Sequence, residues 1–211
     1  MAYRDFKMSD LTSKFGIHQQ LTSVLFDHDK IVKVEPSAYL KMAMQRAELF
    51  ELSTEKAISE RLVSPILAEL KERNPKDIKL FSGEIINADV KRGLNGEIDF
   101  ILSHRPESLD PRSPILCITE AKIGKIQKYI PQATAQMIGA RVFNAKNGEP
   151  YETIHGAVTD GKVWRFLKLE GNQLLTDDKD VFINELSLLL GILQEIVDFY
   201  KNTEGSKTTP K

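Results

Sequence analysis

Apolar residues recur along this chain in two rhythms, and each predicts a different kind of element. After Pro36-Ser37, the residues Leu40, Ala43, Met44, Ala47 and Phe50 share one helical face, so a helix is predicted through Phe50. A second helix is predicted to begin behind Ser53 as N-cap, with Glu55 in the first turn, where the helix dipole favours an acid. Its apolar stripe is Ile58, Leu62, Ile66 and Leu70, widened by Val63 and Leu67, and Asn74-Pro75 stops it after Arg73. Pro65 lies inside that stretch and is expected to kink or split it. Glu60 sits three and seven residues before Val63 and Leu67, so it is expected to face protein rather than solvent.

Strand signals follow. Lys79 to Val90 reads as a strand or bent strand pair, Gly93 to Gly96 as a turn, and Glu97 to Leu102 as a strand with a buried character. A polar, proline-containing loop is predicted from Ser103 to Pro114. Ile115 to Thr119 is nearly all apolar and reads as a central strand covered on both faces, ended by Glu120-Ala121-Lys122. A helix is predicted from about Ile126 to Ala145, with Pro131 near its start. Asp160-Gly161 is a strong turn signal between strands at Ile154 to Thr159 and Lys162 to Leu169. A long amphipathic helix over Asp180 to Tyr200 turns Phe182, Leu186, Leu189, Leu190, Leu193, Ile196, Val197 and Tyr200 inward.

This order predicts an α/β fold with a central mixed β-sheet flanked by helices, an N-terminal helical extension and a long C-terminal helix. Residues 1–52, with little periodicity before residue 36, are expected to form the partly helical extension, 53–201 the main domain, and 202–211 a polar, disordered tail.

Composition narrows the function classes. The chain has 211 residues, 41% apolar and 28% charged, which is ordinary for a soluble globular protein. With 29 basic against 30 acidic residues the net charge is −1, so bulk charge cannot hold it to nucleic acid, and any such contact must be a local patch. The most apolar run near the C-terminus, Leu186 to Gln194, is nine residues long, whereas a membrane span needs about 20. No basic stretch followed by an apolar run opens the chain, so no secretory leader is expected, and a cytoplasmic location without membrane partners follows. Cys117, the only cysteine, can form neither an internal disulfide nor a cysteine-based zinc site, and reads as a buried filler. No glycine-rich phosphate loop is present, which argues against ATP or NAD.

The candidate chemistry lies where ionisable residues interrupt buried strands. Asp99 sits in an otherwise apolar strand, and Glu120 and Lys122 end the most apolar strand in the chain. Two apart on a strand, Glu120 and Lys122 project from one face. Charged side chains are rarely buried unless paired or bound to metal. The tripeptide acid-x-Lys begins at Asp5, Glu69, Asp77, Asp89, Glu120, Asp160 and Asp177, so it has little specificity by itself. Only Glu120 both follows an apolar strand and has an acid-bearing strand upstream, 21 residues earlier, a spacing that suits neighbouring strands.

Asp99 together with Glu120-Ala121-Lys122 resembles the core motif of the PD-(D/E)XK, restriction-endonuclease-like nuclease superfamily. Ile98 stands where that pattern often has proline. The segment Ser59 to Leu67 is similar to the helix that bears a further glutamate in some branches, here Glu60, and Gln132 and Gln136 fall on the helix after the lysine, where such families often carry glutamines. The resemblance covers about residues 53 to 170. It implies a restriction-endonuclease-like sheet and metal-dependent hydrolysis of phosphodiester bonds in nucleic acid, DNA foremost. It further implies Mg²⁺, with Mn²⁺ as substitute, held by Asp99, Glu120, the Ala121 carbonyl and Glu60. Lys122 would act on the attacking water and the phosphate, assisted by Gln132 or Gln136. Lys125 and Lys128 read either as phosphate contacts or as a solvated face. The alternatives are a catalytically silent binding module on the same fold, or an interaction protein that dimerises through its C-terminal helix.

Other polar candidates read as structural. His104 and His155 lie in no nucleophile or metal motif, Asp27-His28-Asp29 reads as a solvated turn, and Trp164 and Phe166 as core.

Overall fold

The apolar spacing resolves into two layers of helices around one sheet in the structure, a computed structural model that describes residues 1–22, 24–104 and 114–205. In chain order the elements are α1 (Met8–Phe15), β1 (His18–Thr22), α2 (Ala38–Ala47), α3 (Glu55–Ile58) and α4 (Ser64–Arg73), then β2 (Ile78–Ile85), β3 (Glu97–His104) and β4 (Ile115–Ala121). They continue with α5 (Ile130–Lys146), β5 (Thr153–Thr159), β6 (Val163–Glu170), β7 (Gln173–Asp177), β8 (Val181–Phe182) and α6 (Leu186–Gly205).

The strands form one mixed, open sheet in the order β1-β7-β6-β5-β4-β3-β2, with β8 paired to β6. The β4–β5 and β1–β7 pairs are parallel and the others antiparallel. Parallel neighbours need a crossover, and α5 supplies it between β4 and β5. Successive residues of β5 show that both faces are covered. His155 meets Tyr200 of α6, while Gly156 lies against Met137 of α5. That double covering is why β5 is buried along its whole length. Trp164 and Phe166 stack inside the core at 6.4 Å between ring centroids.

Several expectations are corrected in detail. Thr54, not Ser53, caps the second helix, its hydroxyl accepting from the Ala57 N–H at 3.1 Å. The helix is split ahead of Pro65, as expected, into α3 and α4. A π-turn at Ser59–Val63 absorbs an extra residue, and Pro65 sits in the first turn of α4, where its missing N–H costs nothing. The helix opened by Ser37 ends at Ala47, and Phe50, assigned to its inner face, is exposed. The strand expected to Val90 stops at Ile85. The last helix starts at Leu186 rather than Asp180, because the Asp180 carboxylate binds the Arg165 Nε at 2.7 Å and Val181 pairs with Trp164, which leaves Phe182 exposed. It then runs to Gly205, through the first residues of the expected tail. The rest of that tail, and most of the loop expected before Pro114, lie outside the described residues. The weakly periodic N-terminal segment supplies α1 and also an edge strand of the sheet.

Candidate functional site

β3 and β4 run antiparallel, and the pairing of Phe100 with Thr119 puts Asp99 next in register to Glu120. The Ala121 N–H donates to Asp99 Oδ2 at 2.8 Å and pins that carboxylate across the strand pair. The Lys122 N–H donates to the Thr159 carbonyl at 2.8 Å, so the chain is still held to β5 where the lysine side chain departs. Lys122 Nζ lies 2.9 Å from Glu120 Oε1, 3.1 Å from Glu55 Oε2 and 3.9 Å from Asp99 Oδ2. Three carboxylates, from β3, β4 and α3, thus share one ammonium.

Glu120 is only 1% exposed, and α5 completes its coordination. Gln136 Nε2 donates to Glu120 Oε2 at 2.6 Å, and Gln132 Nε2 donates to Oε1. The two glutamines are one helical turn apart, the spacing that lets two side chains of one helix reach a single group. Gln136 Nε2 also reaches the Glu97 carbonyl at 3.3 Å, while its own Oε1 is buried without a hydrogen-bond partner.

The electrostatics follow from burial and crowding. Burial, and then the charge of Asp99, push the Glu120 carboxyl up to about 7 against the pull of Lys122 and Gln136. Burial also raises Asp99, helped by Glu55 and Glu97 and opposed by Lys122 and the Ala121 N–H. Burial works against the charge of Lys122, but Glu120 and its companions outweigh it and hold the ammonium above the ordinary lysine value.

Asp99 opens on a cleft of about 470 Å³ between the α3–α4 segment and β2–β3, whose walls include Glu55, Glu60, Glu97 and Ser82. Glu60 lines this cleft with Asp99, but it does not face protein as its spacing predicts. Its side chain is 52% exposed and 3.8 Å from Lys56 Nζ, and no hydrogen bond or ion pair joins it to Asp99, Glu120 or Lys122. The cause is the π-turn. A helix wound at more than 3.6 residues per turn breaks the three-and-seven count that put Glu60 in line with Val63. Ala121 is fully buried, with its N–H committed to Asp99.

Two members of the cluster escaped the sequence reading. Glu55 was legible only as a first-turn acid. Glu97 lies two residues before Asp99 and so projects from the same strand face, a signal that simple alternation contains. The remaining candidates stand apart from the cluster. His155 Nδ1 is 2.9 Å from the Tyr200 hydroxyl in the core, and Lys125 and Lys128 are exposed. Asp27 makes a surface turn with Asp29 and an ion pair with Lys30. The side chain of Cys117 lies outside the described residues.

Among the described residues no group of three or more His, Cys, Asp or Glu side chains stands in metal-holding array, and no helix is long and apolar enough to cross a membrane. Comparison with known proteins finds no family model and no curated protein that matches the chain.

Proposed function

We propose that the chain is a metal-dependent nuclease of the restriction-endonuclease-like, PD-(D/E)XK kind, hydrolysing phosphodiester bonds in nucleic acid, DNA foremost. The observation that carries the reading is the meeting of Asp99 and Glu120, from adjacent strands, around the Lys122 ammonium, with Asp99 lining an open cleft. A structural salt bridge needs one acid for one base. Here two crowded acids sit where burial penalises both charges, the perturbed arrangement common to functional sites.

The donor set fits Mg²⁺, with Mn²⁺ as its substitute. That ion takes one or two protein carboxylates and fills its remaining positions with water and phosphate oxygens, so the lack of a three-acid array is no obstacle. Asp99 and Glu120 would hold it, the Ala121 carbonyl is the backbone ligand that the resemblance implies, and the unpartnered Gln136 Oε1 leaves an oxygen to spare beside Glu120. Glu60 and Glu55 border the cleft from the opposite wall. Bound there, the cation would acidify water and offset negative charge on the phosphate. Asp99 is held in one orientation by the Ala121 N–H, and Glu120 by the two glutamine amides. Lys122 supplies a positive charge that strengthens its hold on the phosphate as negative charge accumulates during attack.

The test is a cleavage assay on single- and double-stranded DNA and RNA with Mg²⁺ or Mn²⁺, run beside calorimetry of Mn²⁺ binding. Asp99→Asn is expected to lose both the binding heat and cleavage. Lys122→Ala is expected to keep metal binding while cleavage falls by roughly a hundredfold or more. Cleavage that persists in EDTA, or unchanged Mn²⁺ affinity in Asp99→Asn, overturns the reading. Metal binding without cleavage of any substrate would favour the silent binding module. The dimer reading finds no spare apolar face on α6, whose residues Leu189, Leu190, Leu193, Ile196 and Val197 are buried in the chain's own core.

A further inference from the structure

One face of α2 is left unused by the core. Tyr39, Met42 and Arg46 recur at helical spacing on it, and the turn that follows adds Leu49 and Phe50. Tyr39 is 62% exposed, Leu49 82% and Phe50 46%. Arg61, from the π-turn, lays its guanidinium over the Phe50 ring at 4.0 Å from the centroid. Among the described residues neither Arg46 nor Arg61 has a carboxylate partner, whereas Lys56 and Lys122 beside the cleft are both engaged by acids. Tyr39, Met42, Arg46, Phe50 and Arg61 enclose a hollow of about 230 Å³, and Glu60 closes it on one side. Glu60 is also a wall of the cleft that holds Asp99, so hollow and cleft adjoin across that one side chain.

We infer that this face is a single-strand platform, on which unstacked bases of a nucleic acid rest while the same strand enters the cleft lined by Asp99. The inference rests on the nuclease reading for what the strand does there, but the platform itself is defined by its own chemistry. Exposed rings present the π-faces that single-stranded nucleic acid stacks on, and guanidiniums between them meet the backbone phosphates. A hollow of this size accepts one flat group at a time. A duplex would instead need a groove wide enough to track two backbones. Two unpaired arginines at the centre of the apolar face complement an anion better than an apolar protein surface.

The experiment is fluorescence anisotropy in EDTA, so that binding is read without cleavage, with labelled oligodeoxythymidylate, oligouridylate and a mixed-sequence duplex as probes. The wild type is expected to bind a single strand more tightly than the duplex, with affinity falling as salt rises. Preference between the two single strands then names deoxyribose or ribose. Phe50→Ala is expected to weaken single-strand binding by roughly tenfold or more, and Phe50→Trp to retain it. Phe50 is at the surface, so folded variants are expected. Equal binding by Phe50→Ala and wild type, or a preference for duplex, overturns the platform. So does a concentration-dependent dimer in sedimentation that Phe50→Ala dissolves, which would assign the face to a second copy. A strand bound through Phe50 but never cut, with any metal, removes the nuclease reading and leaves the platform standing. A strand that is cut with Phe50→Ala binding unchanged does the reverse.

Discussion

Lys122 serves Glu120, Glu55 and Asp99 at once, and this imbalance decides how substitutions around it behave. Removing the ammonium in Lys122→Ala leaves a buried carboxylate facing a second acid. Breaking a buried ion pair typically costs about 3–5 kcal/mol, but Glu120, already at about 7, can take a proton, so a loss nearer 2 kcal/mol is expected. Asp99→Asn has the opposite sign. The amide oxygen still accepts the Ala121 N–H, and one negative charge is removed from beside Glu120, so this variant is expected to unfold at a higher urea concentration than wild type. Urea unfolding of the three proteins at neutral pH checks the order, and an Asp99→Asn midpoint below that of wild type would contradict it. Asp99, Glu120 and Lys122 were legible in the sequence because an ionisable residue in an apolar strand is conspicuous without any coordinates. Glu55 was not, since an acid in a first helical turn already has a sufficient local reason to be there.

The elements that carried long, regular patterns were read correctly in kind. α5, the β5–β6 pair and the body of α6 each hold a dozen or so residues of uninterrupted periodicity or a clear turn signal. β1 was invisible because His18-Gln19-Gln20 is polar and its place depends on pairing with Gln173 and its neighbours at the far end of the chain. The π-turn was equally hidden, since nothing local distinguishes Ser59–Val63 from ordinary helix, and that one extra residue is what turned Glu60 outward. The turn also fits the segment against the tip of the β5–β6 hairpin. Gly161 has φ +83°, and a Cβ there would come within 2.6 Å of Leu62 Cδ1 and 2.9 Å of Ile58 Cγ2. Gly161→Ala is therefore expected to cost about 2–3 kcal/mol through strain and clash together. Gly148 has φ +77° with open space around it, so Gly148→Ala should show the strain alone, about 1 kcal/mol. Thermal melts of the two variants measure the contact between hairpin and helix by difference, and equal losses would mean that the contact contributes nothing.

For the molecule as a whole, two buried groups on opposite faces of the sheet set the response to acid with opposite signs. His155, between Tyr200 of α6 and the aromatic rings of Phe26 and Phe199, is pushed down to about 3, by burial first and then by Lys168 across the strand pair. In the unfolded chain it takes a proton near pH 6.5, so between about 6.5 and 3 the unfolded state binds more protons and stability falls on acidification by about 1.4 kcal/mol per pH unit. Glu120 does the reverse. Its carboxyl, raised to about 7, is protonated in the fold while the unfolded chain still holds it ionised, down to its ordinary value of 4.5. Its contribution is complete below 4.5 and is lost as pH rises through 7. The two slopes nearly cancel between about pH 6.5 and 4.5, and below that Glu120 no longer offsets the histidine. In the absence of metal, the expected curve of urea midpoint against pH is a plateau followed by a steep acid decline. His155→Gln, which keeps a hydrogen-bonding side chain at Tyr200, should turn the plateau into a rise on acidification, and Glu120→Gln should turn it into an early fall. Parallel curves for wild type and both variants would show that neither buried group titrates with folding, and would remove the electrostatic basis on which the Asp99–Glu120–Lys122 cluster is read as a perturbed site.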